Sequence, residues 1–284
     1  MTEELRLSSV DGYTIVDVAG TEWKVGPIRS AKKVLQRTTI DLVRHTTYTC
    51  ATQRLDACGA AAALNFDRAG EGETPFAAFA KELDDWAEPN KFVGSIAMGL
   101  SREEAGPALQ PTAEQAIEMV AYSAAACVPP DATSILIASD GDEPALRTAL
   151  GEREVTVEAD LAEALSQDID VLFVRGKTGC LDHQALEATK AKTIVGLQPL
   201  TTTARGLAVA GRAGAVVIPD FISAGGPTLA ALGLSPAEIT SETSAAIARL
   251  TDAGIETFVN ACELAEQHLA TITEKLPFGR PLAP

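Results

Sequence analysis

The segment 193–226, TIVGLQPLTTTARGLAVAGRAGAVVIPDFISAGG, limits what the rest of the chain can be. Two short apolar runs, Ile194–Leu197 and Ala215–Pro219, flank a stretch in which Leu207, Val209, Ala210 and Ala213 recur at helical spacing. Strand, helix and strand in so few residues is the grammar of a parallel sheet, because a crossover helix has to return the chain to the same end of the sheet. Asp220 and a Ser-Ala-Gly-Gly turn close the segment.

The upstream sequence continues this pattern. Residues 133–139 (TSILIAS), 154–158 (EVTVE) and 170–175 (DVLFVR) read as strands, with helices up to Leu150 and over 161–166 and 183–190. Residues 13–25 contain β-rich pieces around a Gly-Thr turn and predict a short strand pair. Val34, Leu35, Thr38, Leu42 and His45 predict a helix over 30–46 capped by Ser30. A second helix spans 75–86, and a third starts at Pro111 with Thr112 as its cap and Ile117, Val120 and Ala124 on one face. Two more cover 235–250 and 255–275, the first capped by Ser235-Pro236, and the Pro-rich tail LPFGRPLAP reads as loosely held.

Composition removes several classes of function. The 284 residues, 46% hydrophobic, are enough for two modest domains or one large one. There are 39 acids against 23 bases, nine of them Lys, for a net charge of −16, which argues against nucleic acid and anionic membranes as partners. An acidic, Lys-poor chain fits a high-salt cytoplasm, where a Debye length of about 3 Å at 1 M suppresses self-repulsion; a halophilic source is expected. Cysteines 50, 58, 127, 180 and 262 stand singly, and histidines 45, 183 and 268 lack metal-ligand spacing, so neither disulfides nor a metal site is expected. No run approaches the roughly 18 apolar residues of a membrane helix, and MTEELRLSS is no signal peptide. A cytoplasmic location is expected.

The order of several segments resembles the glutamate/leucine/phenylalanine/valine dehydrogenase family. Gly26-Pro27-Ile28-Arg29 is similar to that family's Gly-rich segment ending in Arg, and 42–51 (LVRHTTYTCA) to its Leu-Ala-Arg-x-Met-Thr-Tyr-Lys-x-Ala helix. Residues 58–64 (CGAAAAL) match its Gly-Gly-x-Lys loop, 97–100 (AMGL) its Asp-Val-Gly-Thr strand end, and 223–227 (SAGGP) its Asn-Ala-Gly-Gly-Val. The resemblance implies an α/β fold with two parts. An N-terminal α/β substrate-type domain covers 1–110, with the C-terminal helices of 245–284 packing back on it, and a truncated Rossmann-like, doubly wound domain covers 111–244.

The same resemblance implies a site whose reacting groups are missing. The lysine that holds the substrate carboxylate falls on Thr49, the lysine that manages the water or ammonia step on Ala61, and the proton-moving aspartate on Ala97. None of these side chains carries charge at neutral pH. Oxidative deamination needs a pinned carboxylate and an acid–base pair, so no catalytic residue is assigned. Windows 46–66 and 92–101 contain no Lys and only Arg54 as a cation.

For a dinucleotide the expected positions are Ser139, Gly141, Glu158, Gly176 and Gln198. Thr49, Ala61, Ala97, Ser223 and Thr228 would line a neutral substrate-type cleft. The turn 140–144 (DGDEP) has one glycine where Gly-x-Gly-x-x-Gly would stand, and its three acids oppose a pyrophosphate. Gly176-Lys177-Thr178 lacks the upstream glycine of a phosphate loop. The expectation is a non-catalytic regulatory or structural subunit, with either no cofactor or NAD(P), assembling with itself or with an active relative. The alternatives are an NAD(P)-dependent oxidoreductase for a less charged substrate and a small-molecule sensor.

Overall fold

A computed structural model describes residues 2–70, 74–141, 143–252 and 257–284. Asp142 of the acidic turn and Ile255, where the last helix is expected to begin, lie outside these residues. The chain forms two compact units. One comprises Met1–Ala116, Pro227–Leu234 and Ala265–Arg280, and the other Ile117–Gly226, Ser235–Leu264 and Pro281–Pro284.

The first unit holds a five-stranded sheet of β1 (Glu3–Arg6), β2 (Gly12–Val16), β3 (Trp23–Ala31), β4 (Ala57–Asn65) and β5 (Phe92–Met98), in the order β1-β2-β4-β3-β5. β2 lies antiparallel to β4, while β3 and β5 run parallel to it. The expected strand pair over 13–25 is therefore corrected: β2 and β3 flank β4 and do not pair with each other. Every residue from Ala57 to Leu64 is buried, as expected of a central strand covered on both faces. Helix α1 (Gln36–Thr52) covers one face, and α2 (Phe76–Asn90) brings Phe79 and Leu83 to the other. A short helix, α3 (Arg102–Ala105), follows β5, with Ser101 and Glu104 forming a capping box.

The helix expected over 30–46 is displaced. Ser30 belongs to β3 and pairs with Leu64, and the helix starts six residues later, with Leu35 as an N-cap that makes no side-chain bond. Strand pairing takes precedence over local capping at Ser30, because an internal strand would otherwise leave backbone groups unpaired. The second half of α1 is buried throughout, Arg44 to Thr52. Thr46, Thr47, Thr49 and Thr52 satisfy their hydroxyls by donating to the carbonyls of Leu42, Val43, His45 and Tyr48.

A buried ion pair fixes α1 to the sheet. Arg44 Nε and Nη2 reach Asp17 Oδ2 and Oδ1 at 2.7 and 2.8 Å, and Thr47 Oγ1 donates to Asp17 Oδ2 at 2.8 Å. The Gly59 amide donates to Thr47 Oγ1 at 3.0 Å, and a Cβ on Gly59 would lie 1.8 Å from the Val43 carbonyl. Only glycine permits this approach of helix to strand. Arg44 Nη1 also donates to the carbonyls of Phe278 and Gly279, and Arg280 forks onto Glu266 at 2.9 and 3.0 Å. In the other unit the Ala283 amide donates to the Thr202 carbonyl at 3.0 Å. The tail is thus pinned, which corrects the loosely held reading; the Phe278 side chain, 98% exposed, stands clear.

The second unit is a parallel sheet of β6 (Ile135–Ala138), β7 (Val155–Glu158), β8 (Val171–Val174), β9 (Thr193–Gly196) and β10 (Val216–Ile218), in the order β10-β9-β8-β6-β7. All its pairings are parallel, and β6 and β8 are buried throughout. The connecting helices are α5 (Pro144–Leu150), α6 (Leu161–Ser166), α7 (His183–Glu187) and α8 (Ala204–Ala213), preceded by α4 (Ala116–Ala125). The turn at Pro111 is a 3-10 helix over Pro111–Gln115 with Gln110 as its N-cap. Thr112 is not that cap; its buried hydroxyl has no hydrogen-bond partner. Ile117 is 62% exposed, and the buried face of α4 instead carries Met119, Val120 and Ala124. Asp220 begins α9 (Asp220–Ser223), which takes in Ser223 of the expected Ser-Ala-Gly-Gly turn; Gly226 then opens α10 (Gly226–Ala231), followed by α11 (Pro236–Asp252) and α12 (Thr257–Leu269).

Asp170 clamps the amino ends of this sheet. Its carboxylate accepts from the Thr133 amide and hydroxyl and the Ser134 amide at 2.8, 2.9 and 3.0 Å, and from Lys192 Nζ at 2.8 Å. The Lys192 ammonium, then these amides and the hydroxyl, hold its carboxyl far below the usual aspartate value. Among the described residues no helix is long and apolar enough to cross a membrane.

Two outcomes are expected. Arg44→Leu leaves Asp17 as a buried unpaired charge and lowers stability by about 3–5 kcal/mol, read from the denaturant midpoint. Because the folded-state pKa of Asp170 is depressed, its stabilisation is complete above the ordinary value of 3.8 and is lost as pH falls below it. Asp170→Asn should flatten the acid limb of the midpoint-against-pH curve while leaving the neutral limb level.

Candidate functional site

The strand order of the second unit defines one place suited to a ligand. The chain leaves β6 for β7 on one side, whereas β9 and β10 extend from β8 on the other. The β6/β8 boundary is the switch point, where two connections diverge and open a crevice at the carboxyl ends of the strands. Parallel strands place Ser139 and Gly141 after β6, Glu158 at the end of β7, Gly176 after β8 and Gln198 after β9, all at this edge.

Some of these residues meet. The Gly141 amide lies 3.3 Å from Ser139 Oγ, the Ser139 amide donates to the Glu158 carbonyl at 3.2 Å, and Gln198 Nε2 donates to the Gly176 carbonyl. Their side chains do not converge on a common ligand. The Glu158 carboxylate accepts from the Asp160 amide at 3.0 Å, at the start of α6, so it serves its own turn. A Cβ on Gly141 would meet nothing within 4 Å, so no close packing there requires glycine. A Cβ on Gly176 would lie 2.8 Å from Cys180 Sγ, so a larger residue there would displace the Cys180 side chain.

An ion pair that escaped the sequence reading occupies the switch point itself. Arg175, the first residue after β8, forks onto Glu143, the N-cap of α5. Its Nε meets Oε1, and its Nη2 lies 3.0 Å from Oε2. Ser139 Oγ donates to Glu143 Oε1 at 3.0 Å, and the Arg175 amide donates to the Ala138 carbonyl at 2.9 Å. The Glu143 side chain is 6% exposed and that of Arg175 29%. A pyrophosphate brought to this turn would meet a buried carboxylate already using the nearest cation, and Pro144 offers no amide at the first helical position. The residues present do not fit a dinucleotide phosphate.

The next strand end is equally self-contained. Leu200 adopts a left-handed φ of 59°, and the following residue, Thr201, donates its amide and hydroxyl to Asp220 Oδ2 at 2.8 and 2.9 Å. Thr203 caps α8 by accepting from the Gly206 amide at 3.0 Å. Ser223, fully buried, donates to the Gly196 carbonyl at 2.7 Å, and so ties α9 to β9.

In the first unit, Thr49 is 1% exposed and donates to the His45 carbonyl at 3.1 Å within α1. Ala61 pairs with Ile15 and packs with Tyr13 and Val43 on the α1 side of the sheet. Ala97 is in register with Ile28 and Ala62, on the α2 side. The structure therefore places Ala61 and Ala97 on opposite faces of the sheet. Thr228, in α10, belongs to this unit and Ser223 to the other. Among the described residues no group of three or more His, Cys, Asp or Glu could hold a metal.

No family profile matches the sequence, and no curated protein matches it significantly. Solved structures match its fold along almost the whole chain. The hetero-hexameric glutamate dehydrogenase from Thermus thermophilus, in a Leu-bound form, superposes with a TM-score of 0.71 at 16% identity, covering 96% of this chain and 89% of that one. The L-tryptophan dehydrogenase from Nostoc punctiforme gives 0.73 at 16% identity, covering 96% of both chains. The glutamate dehydrogenase from Peptoniphilus asaccharolyticus gives 0.69 at 13%, covering 96% and 91%.

Proposed function

We propose that this protein, which has the fold of the amino-acid dehydrogenases, is a non-catalytic regulatory or structural subunit. One observation carries the reading: the positions that resemble the reacting lysines are a threonine bonded into its own helix and an alanine in the apolar core. Thr49 has no charge to hold a carboxylate. A lysine ammonium at Ala61 would be buried beside Tyr13, Ile15 and Val43, at a desolvation cost of several kcal/mol. The reacting aspartate is matched by Ala97, which accepts no proton. With no cation and no base at these three positions, the near-attack geometry and proton transfers of oxidative deamination lose the groups that the resemblance would assign to them.

The hetero-hexamer among the structural neighbours supports assembly with an active relative as the role. The reading assigns such assembly to the first unit.

Calorimetric titration of the purified chain with NAD, NADH, NADP and NADPH in molar KCl should show no saturable heat. Mixing with an active amino-acid dehydrogenase of the same cell should raise the native mass above that of either protein alone. Saturable nucleotide binding tighter than about 1 mM, worth about 4 kcal/mol, together with reduction of NAD or NADP by any α-amino acid, overturns the reading.

A further inference from the structure

We propose that the Glu143 carboxylate is a built-in ligand of the switch-point crevice, held by Arg175 and Ser139 at the position where an anionic ligand would bind, and that this position is a latent site for a small carboxylate. The inference rests on residues of the second unit alone and stands apart from the absence of reacting groups in the first.

Four observations converge on it. The crevice between β6 and β8 is where a doubly wound sheet receives its ligand. The cation there is met by a side-chain carboxylate. The contact has the geometry of ligand recognition: a guanidinium fork on both carboxylate oxygens, with a hydroxyl at 3.0 Å on one of them. The two partners reach the crevice from different strand ends, Glu143 from the turn after β6 and Arg175 from the end of β8. The carboxylate therefore occupies the anion position by tertiary placement, not as a local turn contact. Glu143 is nearly fully buried while Arg175 stays partly open, so the cation faces outward past its occupant.

Removing the occupant should empty a site shaped for it. Glu143→Ala deletes a methylene and the carboxylate, which together correspond to acetate. It leaves Arg175 and Ser139 Oγ, the two groups that bind the carboxylate, without it. The arginine then lacks its counter-charge, and added acetate should restore it.

The test is thermal unfolding followed by circular dichroism, in KCl and in potassium acetate at matched ionic strength. Glu143→Ala should lower the midpoint by about 5–10 °C in KCl, and acetate should recover at least half of that loss along a saturable curve. Glu143→Ala/Arg175→Met should show no such recovery, and the wild type and the isosteric Glu143→Gln, whose position is filled, should respond no more to acetate than to KCl. If Glu143→Ala does not fold in KCl, its refolding yield in acetate against matched KCl reads the same effect. An acetate response equal in all four proteins, or none in Glu143→Ala, overturns the proposal and leaves Glu143–Arg175 as a structural ion pair only. Since no nucleotide enters this assay, its result is separable from the cofactor titration.

Discussion

A carboxylate taken out of water must be neutralised where it stands, and Asp17 shows how much structure one such requirement can organise. Its partner, Arg44, occupies a helix that is buried along its whole second half. The guanidinium spends two nitrogens on Asp17 and a third on the carbonyls of Phe278 and Gly279. One buried cation thus joins the segment after β2, the central helix and the chain terminus of the first unit. Thr47 and Gly59 complete the contact, one by a hydroxyl on Asp17 and the other by having no side chain. The cost of burying such charges makes the arrangement discriminating: it is tolerable only when every oxygen and every N–H has its partner.

The same economy governs the second unit and bears directly on function. A parallel, doubly wound sheet creates a crevice at its switch point whatever its side chains are. Here Glu143 is paired with Arg175 at that point, and at the neighbouring strand end Thr201 bonds to Asp220 and Ser223 to the Gly196 carbonyl. Polar groups that could face a ligand are committed to one another. The framework matches that of dehydrogenases at identities of 13–16%, because packing geometry survives extensive replacement of side chains.

Where local and tertiary demands disagreed, the tertiary demand prevailed. Ser30 has the character of a helix cap, yet it lies in β3, because an internal strand must keep its ladder. Ile117 fits an apolar helical stripe and still points to solvent. The tail has the proline content of a loose end and is held by Arg44 and by Glu266 through Arg280. The first and last of these depend on a neighbouring strand or on partners 14 or more residues away, and periodicity carries no record of such partners.

What the sequence by itself determined was the alternation of short apolar strands with helices, hence the parallel sheet of the second unit. It also determined that positions 49, 61 and 97 carry a threonine and two alanines, none of them ionisable at neutral pH. Both follow from local composition, since strand burial, helical spacing and the absence of an ionisable group are properties of the residues themselves. Only the tertiary structure decided that β6 and β8 are neighbours although β7 lies between them in the chain. That adjacency turns an acid at 143 and a base at 175 into one buried pair. It also decided that Ala61 and Ala97 face opposite sides of their sheet, because register across strands is set by pairing partners that neither residue encodes.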